Sequence, residues 1–201
     1  MIRAILFDFG NVIGFYDHRR ATRRFAPLAG MPEGEMLEAI YDGQLEHDFE
    51  SGTISGDEFL QKVSDLIDFR GRLDVLRDGF VDIFTPNVPV IQLIPKLAER
   101  YRLVLASNTN ELHSAKYVQS FADTLKHFTA LGMSWQAGVR KPKAEFFQYC
   151  LRLADCHPAE AVFVDDVEEN VEGAAAIGID GILYEPGMDL AAELRQFGIE
   201  V

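Results

Sequence analysis

Short apolar runs recur along the chain at Ile2 to Phe7, Arg102 to Ala106, Phe128 to Leu131, Ala161 to Val164 and Gly181 to Tyr184. Continuous apolarity without in-and-out alternation is the pattern of strands buried on both faces. Between the later runs, Glu111 to Phe121, Lys143 to Ala154 and Glu168 to Ile177 carry apolar positions at helical spacing. Strand and helix therefore alternate, which predicts an α/β fold built on a doubly wound parallel sheet.

From Phe15 to Val88 the alternation stops. This stretch has helical periodicity and turn signals but no strand-like run, and it reads as a small α-helical subdomain (15–88) inserted into a core formed by 1–14 and 89–201. Helices are expected to begin near Asp17, Pro32, Ser55 and Arg72. Ser55 followed by Glu58 has the capping-box spacing ahead of Phe59, Val63 and Leu66. Pro89 suits a first helical turn, whereas Pro95 falls within the Ile91, Ile94 and Leu97 pattern and should bend it.

Composition narrows the partners. The chain of 201 residues is 48% hydrophobic and 25% charged, which fits a globular protein and not a disordered one. Its formal net charge of -13 repels phosphate backbones and anionic lipid, so neither nucleic acid nor a membrane is expected as a bulk partner. The apolar start reaches Asp8 too soon for a signal-peptide core, and no run approaches a membrane span. The two cysteines, Cys150 and Cys156, match neither a metal-ligand spacing nor a disulfide framework, so a reducing, cytoplasmic setting is expected. Nothing in the pattern specifies an oligomeric state.

In open parallel sheets ligands bind beyond the carboxyl ends of the strands. The first apolar run ends at Asp8, the second at Ser107-Asn108 and the fourth at Asp165-Asp166, while Lys141 sits in the loop Gly138-Val139-Arg140-Lys141-Pro142. Singly these are cap or turn residues. Together they put three carboxylates and one lysine at one end of a sheet. Such crowding raises carboxylate pKa values unless a cation intervenes, and Mg²⁺ with oxygen ligands is the natural remedy. A metal, a lysine and a hydroxyl around an attacking carboxylate suit phosphoryl transfer, whose transition state spreads negative charge over oxygens.

In this order and spacing the motifs resemble the haloacid dehalogenase-like hydrolases: Phe7-Asp8-Phe9-Gly10-Asn11-Val12-Ile13, Leu105-Ala106-Ser107-Asn108, Arg140-Lys141-Pro142 and Val164-Asp165-Asp166-Val167-Glu168-Glu169-Asn170. The helical insertion is similar to the small cap of the family's first subclass. The resemblance implies that Asp8 attacks phosphorus to form an aspartyl phosphate, with Mg²⁺ held by Asp8, the Gly10 carbonyl and Asp166, and with Asp165 in or near its shell. Asn170 would orient Asp166 one helical turn away. Ser107 and the Asn108 amide would hold phosphoryl oxygens, Lys141 would neutralise charge, and Arg20 would face the substrate. The substrate class implied is a small phosphorylated metabolite. The Asp-x-Gly-Asn-Val form and the segment Glu50 to Ser55 are similar to a branch that includes an α-D-glucose-1-phosphatase, which brings sugar phosphates into that class.

One position departs from the pattern. Most phosphatases of the family carry a second Asp, the general acid and base, where this chain has Gly10. General acid catalysis is worth about 10² to 10⁴ in rate, so good leaving groups should be favoured, or His18 or His47 must carry the proton. His113, His127 and His157 have no partners at ligand spacing. Two alternatives stand beside the phosphatase. A 2-haloacid dehalogenase uses the same nucleophile on carbon without metal, and a binding protein of this fold would have little turnover because of Gly10. The basic run Arg19, Arg20, Arg23 and Arg24 is by default a solvated helix face.

Overall fold

Alternate residues of the central strand feed two separate apolar layers. β1 (Ala4–Phe7) is wholly buried: Ile5 and Phe7 face one cluster, Ala4 and Leu6 the other. The division follows from the two-residue repeat of a strand, and burial on both sides is why the run is apolar throughout. The computed structural model describes residues 1–41 and 43–201.

After β1 come β2 (Gly14–Tyr16), α1 (His18–Phe25), α2 (Glu33–Tyr41), α3 (Gln44–Glu50), α4 (Gly56–Leu66), α5 (Leu73–Val81) and β3 (Phe84–Pro86). The chain continues through α6 (Val88–Ile91), α7 (Ile94–Ala98), β4 (Arg102–Ser107), α8 (Glu111–Ser120), α9 (Ala122–Leu125), β5 (Ala130–Met133) and α10 (Ser134–Ala137). It ends with α11 (Ala144–Ala154), β6 (Ala161–Asp165), α12 (Glu168–Ala175), β7 (Asp180–Leu183) and α13 (Leu190–Gln196).

The main sheet has five parallel strands in the order β5-β4-β1-β6-β7. Phe7 pairs with Leu105 on one side and with Val164 on the other. Asp8, Ser107 and Asp165 therefore emerge side by side at one end. Helices cover both faces: α6, α7, α8 and α13 contribute Val90, Ile94, Tyr117 and Leu194 to one cluster, and α11 and α12 contribute Phe146, Phe147 and Ala174 to the other. This is the doubly wound α/β architecture expected from the sequence.

Helices α1 to α5 pack around a third cluster of their own, with Phe25, Phe49, Phe59 and Phe80 at its centre. Phe49 and Phe59 stack at 4.3 Å between ring centroids, and Phe59 and Phe80 lie 4.9 Å apart. Burial of each such ring stabilises by about 1.5–3 kcal/mol. The expected capping box is present: Ser55 Oγ accepts from the Glu58 N–H, and the Ser55 N–H donates to Glu58 Oε2 at 2.9 Å. Asp17 caps α1 by accepting from the Arg19 N–H at 3.0 Å. Pro95 divides its segment into α6 and α7, because it has no N–H for the Ile91 carbonyl.

The stretch from 15 to 88 differs from expectation in two respects. It holds strand residues, since β2 and β3 form an antiparallel pair with Phe15 opposite Thr85 and Tyr16 opposite Phe84. Three-residue strands have too few positions to show a period. It also contains α3, whose sequence Gln-Leu-Glu-His-Asp-Phe-Glu has few apolar positions and only Phe49 buried. Among the described residues no helix is long and apolar enough to cross a membrane, and both cysteines are free thiols.

Candidate active site

Asp8 follows β1 directly, its N–H donating to Val164 at 2.9 Å so that the strand pairing carries one residue past its end. Lys141 Nζ donates to Asp8 Oδ1 at 2.7 Å and to Asp165 Oδ2 at 2.6 Å. The lysine side chain is 1% exposed and lies over the Phe163 ring at 5.4 Å. Burial pulls the Lys141 ammonium down from its ordinary range, but the carboxylates of Asp8 and Asp165 more than reverse this and hold it charged. Burial likewise pushes the Asp8 carboxyl up, to about 7; Lys141 opposes the rise, and Asp165 and Asp166 add to it.

The surrounding side chains fix this cluster in place. The Asn108 side chain clamps the Lys141 backbone, accepting from its N–H at 2.8 Å and donating to its carbonyl at 3.1 Å. Asp165 is fully buried and accepts from the Val167 N–H at 2.8 Å and from Asn170 Nδ2 on both oxygens. Asn170 thus holds Asp165, not Asp166 as its spacing suggested, because the first turn of α12 points back at the end of β6. Asp166 is instead held by Asn11, whose amide donates to Oδ2 at 2.9 Å. Burial raises the Asp166 carboxyl, and Asn11 opposes the rise.

Asp8, Gly10, Ser107, Asn108, Lys141, Asp166 and Asn170 line one cavity of about 220 Å³. Asp165 is not among its lining residues and reaches the cluster through Lys141. Arg20 does not line it: α1 turns this side chain to the surface, 3.6 Å from Asp82, which also pairs with Arg24 at 3.1 Å. His47 is likewise outside, whereas His18 lines the cavity. His113, assigned nothing from the sequence, lines it too. Its Nε2 donates to the Phe80 carbonyl at 3.1 Å while Nδ1 accepts from Asn110 Nδ2 at 3.0 Å, and burial lowers it to about 3.

Gly10 packs against a ring. A Cβ at this position would stand 3.0 Å from Tyr16 Cε1 and 3.5 Å from Asp8 Oδ2. Burial and then the charges of Asp166 and Asp8 push the Tyr16 phenol up to about 12, so it stays protonated and is a weak acid at neutral pH.

Helix α3 contributes part of the wall. Glu46 and Glu50 of α3 line the cavity, and Glu50 meets Arg140 of the lysine loop at 2.7 Å. Burial raises the Glu50 carboxyl, with Arg140 pulling against it. Next to this pair, Ser134 accepts from the Thr109 N–H and donates to the Glu50 carbonyl at 2.6 Å. Gly52, with φ of 69°, lets the chain pass so close to Trp135 that a Cβ would lie 2.3 Å from its carbonyl oxygen.

Carboxylate oxygens of Asp8, Asp165 and Asp166 lie within 4.8 Å of one another. This is a hard, all-oxygen donor set whose excess negative charge Lys141 does not balance, and it fits a small divalent cation. Asp165 has spent its oxygens on Lys141, Val167 and Asn170. Asp8 and Asp166 remain as donors, with the Gly10 carbonyl, which accepts from the Val12 N–H at 2.7 Å and keeps a lone pair.

Asn11, the Glu50–Arg140 pair and His113 are among the site residues that sequence reasoning missed. Asn11 carried a signal, since it stands three residues after Asp8 and adopts φ of 53°, a conformation Asn tolerates.

The family model of the haloacid dehalogenase-like hydrolases matches residues 2–178. The D-ribitol-5-phosphate phosphatase of Bacteroides thetaiotaomicron is 26% identical over 96% of this chain and 97% of that protein. Among solved structures, the magnesium complex of the HAD-family enzyme BT-2542 from Bacteroides thetaiotaomicron superposes with a TM-score of 0.83 and 25% identity, covering 96% of this chain and 98% of that one. A HAD-like hydrolase from Porphyromonas gingivalis superposes with a TM-score of 0.84 and 25% identity over the full length of both.

Proposed function

The chain belongs to the haloacid dehalogenase-like hydrolases, and from that premise we propose that it is a Mg²⁺-dependent phosphatase of small phosphorylated metabolites, sugar and polyol phosphates among them. The observation that carries this reading is the Asp8–Lys141 contact of 2.7 Å at the floor of a cavity ringed by further carboxylates. The D-ribitol-5-phosphate phosphatase relative supports the substrate class. The magnesium complex of BT-2542 supports the metal.

Asp8 attacks phosphorus, its oxygen–phosphorus bond forming as the bond to the leaving alkoxide breaks. Lys141, held charged, orients Asp8 and neutralises charge gathering on the phosphoryl oxygens. Ser107 Oγ and the Asn108 N–H donate to those oxygens. When bound by Asp8, the Gly10 carbonyl and Asp166, Mg²⁺ supplies positive charge that lets a carboxylate approach a phosphate dianion. Gly10 offers no proton, so the leaving group is protonated from solvent or by a cavity residue such as His18. Water then cleaves the aspartyl phosphate, releasing inorganic phosphate and restoring Asp8. Residues 15–88 act as a cap over the core of 1–14 and 89–201, excluding water from the first step and opening for release.

The test is phosphate release from p-nitrophenyl phosphate and a sugar-phosphate panel, with and without Mg²⁺, for wild type and Asp8→Asn. Metal-dependent release abolished by Asp8→Asn is expected. Metal-independent halide release from a 2-haloacid would overturn the reading. Gly10, with Tyr16 against it, favours one second reading, a binding protein of this fold, which thermal stabilisation by phosphorylated ligands without any phosphate release would support.

A further inference from the structure

Among the described residues, no lysine or arginine that lines the cavity is left uncommitted. Asp8, Asp166, Glu46 and Glu50 stand there as acids beside Lys141 and Arg140. Lys141 is committed to Asp8 and Asp165. Arg140 is paired with Glu50 at 2.7 Å, and the two side chains are only 26% and 13% exposed. A second ligand anion would have to share Arg140 with the Glu50 carboxylate, whose charge already balances it, so no net positive charge is left there to offset the anion's loss of water. A hydroxyl meets no such penalty. A carboxylate has about four acceptor sites, so Glu50 can hold Arg140 and accept from a substrate hydroxyl as well.

We propose that Glu50, neutralising Arg140 across the cap–core junction, is a specificity-determining residue that admits monophosphates with an uncharged, hydroxylated remainder and rejects those with a second anionic group. This deepens the phosphatase reading and rests on it. The other titratable groups of the wall are Tyr16, Tyr117, His18 and His113. The phenols carry no positive charge, and burial pulls His113 down to about 3, so it is neutral as well.

The test uses two substrate pairs, each differing only by a remote CH₂OH against a carboxylate: α-D-glucose 1-phosphate with α-D-glucuronate 1-phosphate, and ribitol 5-phosphate with 5-phosphoribonate. Within each pair the ester oxygen has the same local setting, anomeric in one and primary in the other, and the change lies at the far end of the leaving alcohol, so the ratio of kcat/KM reads recognition of the remainder. Assays at pH 8 with Mg²⁺ are expected to favour the uncharged member by at least about tenfold, as like-charge juxtaposition in a closed site requires. Glu50→Gln frees Arg140 and should shrink that ratio by about tenfold, with thermal unfolding checking that the variant is folded. A wild-type ratio near one, or in favour of the carboxylate, overturns the proposal whether or not the variant folds. An unchanged ratio in folded Glu50→Gln overturns it as well. Both results leave the phosphatase reading intact as long as p-nitrophenyl phosphate is turned over. If that substrate too is inert, both readings fall together.

Discussion

Asn11 donates its side-chain amide to Asp166 at 2.9 Å, tying the loop after β1 to the loop after β6. The bond leaves Asp166 Oδ1 for a cation and fixes the direction in which it points. Asn11→Gly removes the amide and suits the backbone, since glycine adopts a φ of 53° at no steric cost. The expected outcome is a Mg²⁺ requirement about 10- to 100-fold higher, read from activity against Mg²⁺ concentration, with little change in the saturated rate. An unaltered Mg²⁺ dependence would remove Asn11 from the site.

Lys141 is the cation between two buried carboxylates, 2.7 Å from Asp8 and 2.6 Å from Asp165. Lys141→Met leaves those charges unpaired, and breaking such a buried pair from one side costs about 3–5 kcal/mol. For a chain of this size that lowers Tm by about 10 °C. Calorimetry of the metal-free variant checks the stability loss, and phosphate release checks the accompanying loss of turnover.

Tyr16 stands where a longer side chain at position 10 would go, with its Cε1 3.0 Å from the place of a Cβ on Gly10. With no acid there, turnover should favour activated aryl phosphates over alkyl phosphates. Gly10→Asp alone is expected to leave that preference in place, because the ring displaces the new carboxyl. The double variant Gly10→Asp with Tyr16→Ala is expected to narrow the preference by about 10² to 10⁴, the worth of a positioned acid. Narrowing of the same size in the single variant would show that Tyr16 does not control the position.

His113 is buried with both ring nitrogens engaged, and burial first, then His18, lower it to about 3. In the unfolded chain it titrates near 6.5, so between those limits the unfolded state binds more protons than the folded one. Its contribution to stability is complete above about pH 6.5 and is lost as pH falls toward 3, with a slope approaching 1.4 kcal/mol per pH unit from this residue. Denaturant unfolding from pH 7 to pH 4 should show that slope in wild type and a shallower one in His113→Gln.

The strand ends were legible because a strand buried on both faces has no polar residue until it leaves the sheet. Asp8, Ser107 and Asp165 each mark such a limit, and the βαβ alternation brings them together. What could not be read was the partner of each polar side chain. Spacing placed Asn170 with Asp166, but the start of α12 sets it on Asp165. Arg20 was assigned to the substrate by resemblance, yet the turn of α1 gives it to Asp82. Glu50 and Arg140 stand far apart in sequence, and their meeting depends on how α3 settles on the core. The sequence around each has no period or cap that encodes that contact.

β2 and β3 carry the chain out of the core and back, and they are hydrogen-bonded to each other from Gly14–Pro86 to Tyr16–Phe84. To the core, everything between them is therefore a loop with its two ends pinned together. The entropy of closing a loop grows only with the logarithm of its length. Once this seam is in place, one helical insertion can give way to another, longer or shorter, at little cost to the sheet below. On the proposed function, selection on the breadth of substrates would act on α1 to α5 while Asp8, Lys141 and Asp166 keep their geometry, which would make chemistry and recognition separately heritable traits of one chain.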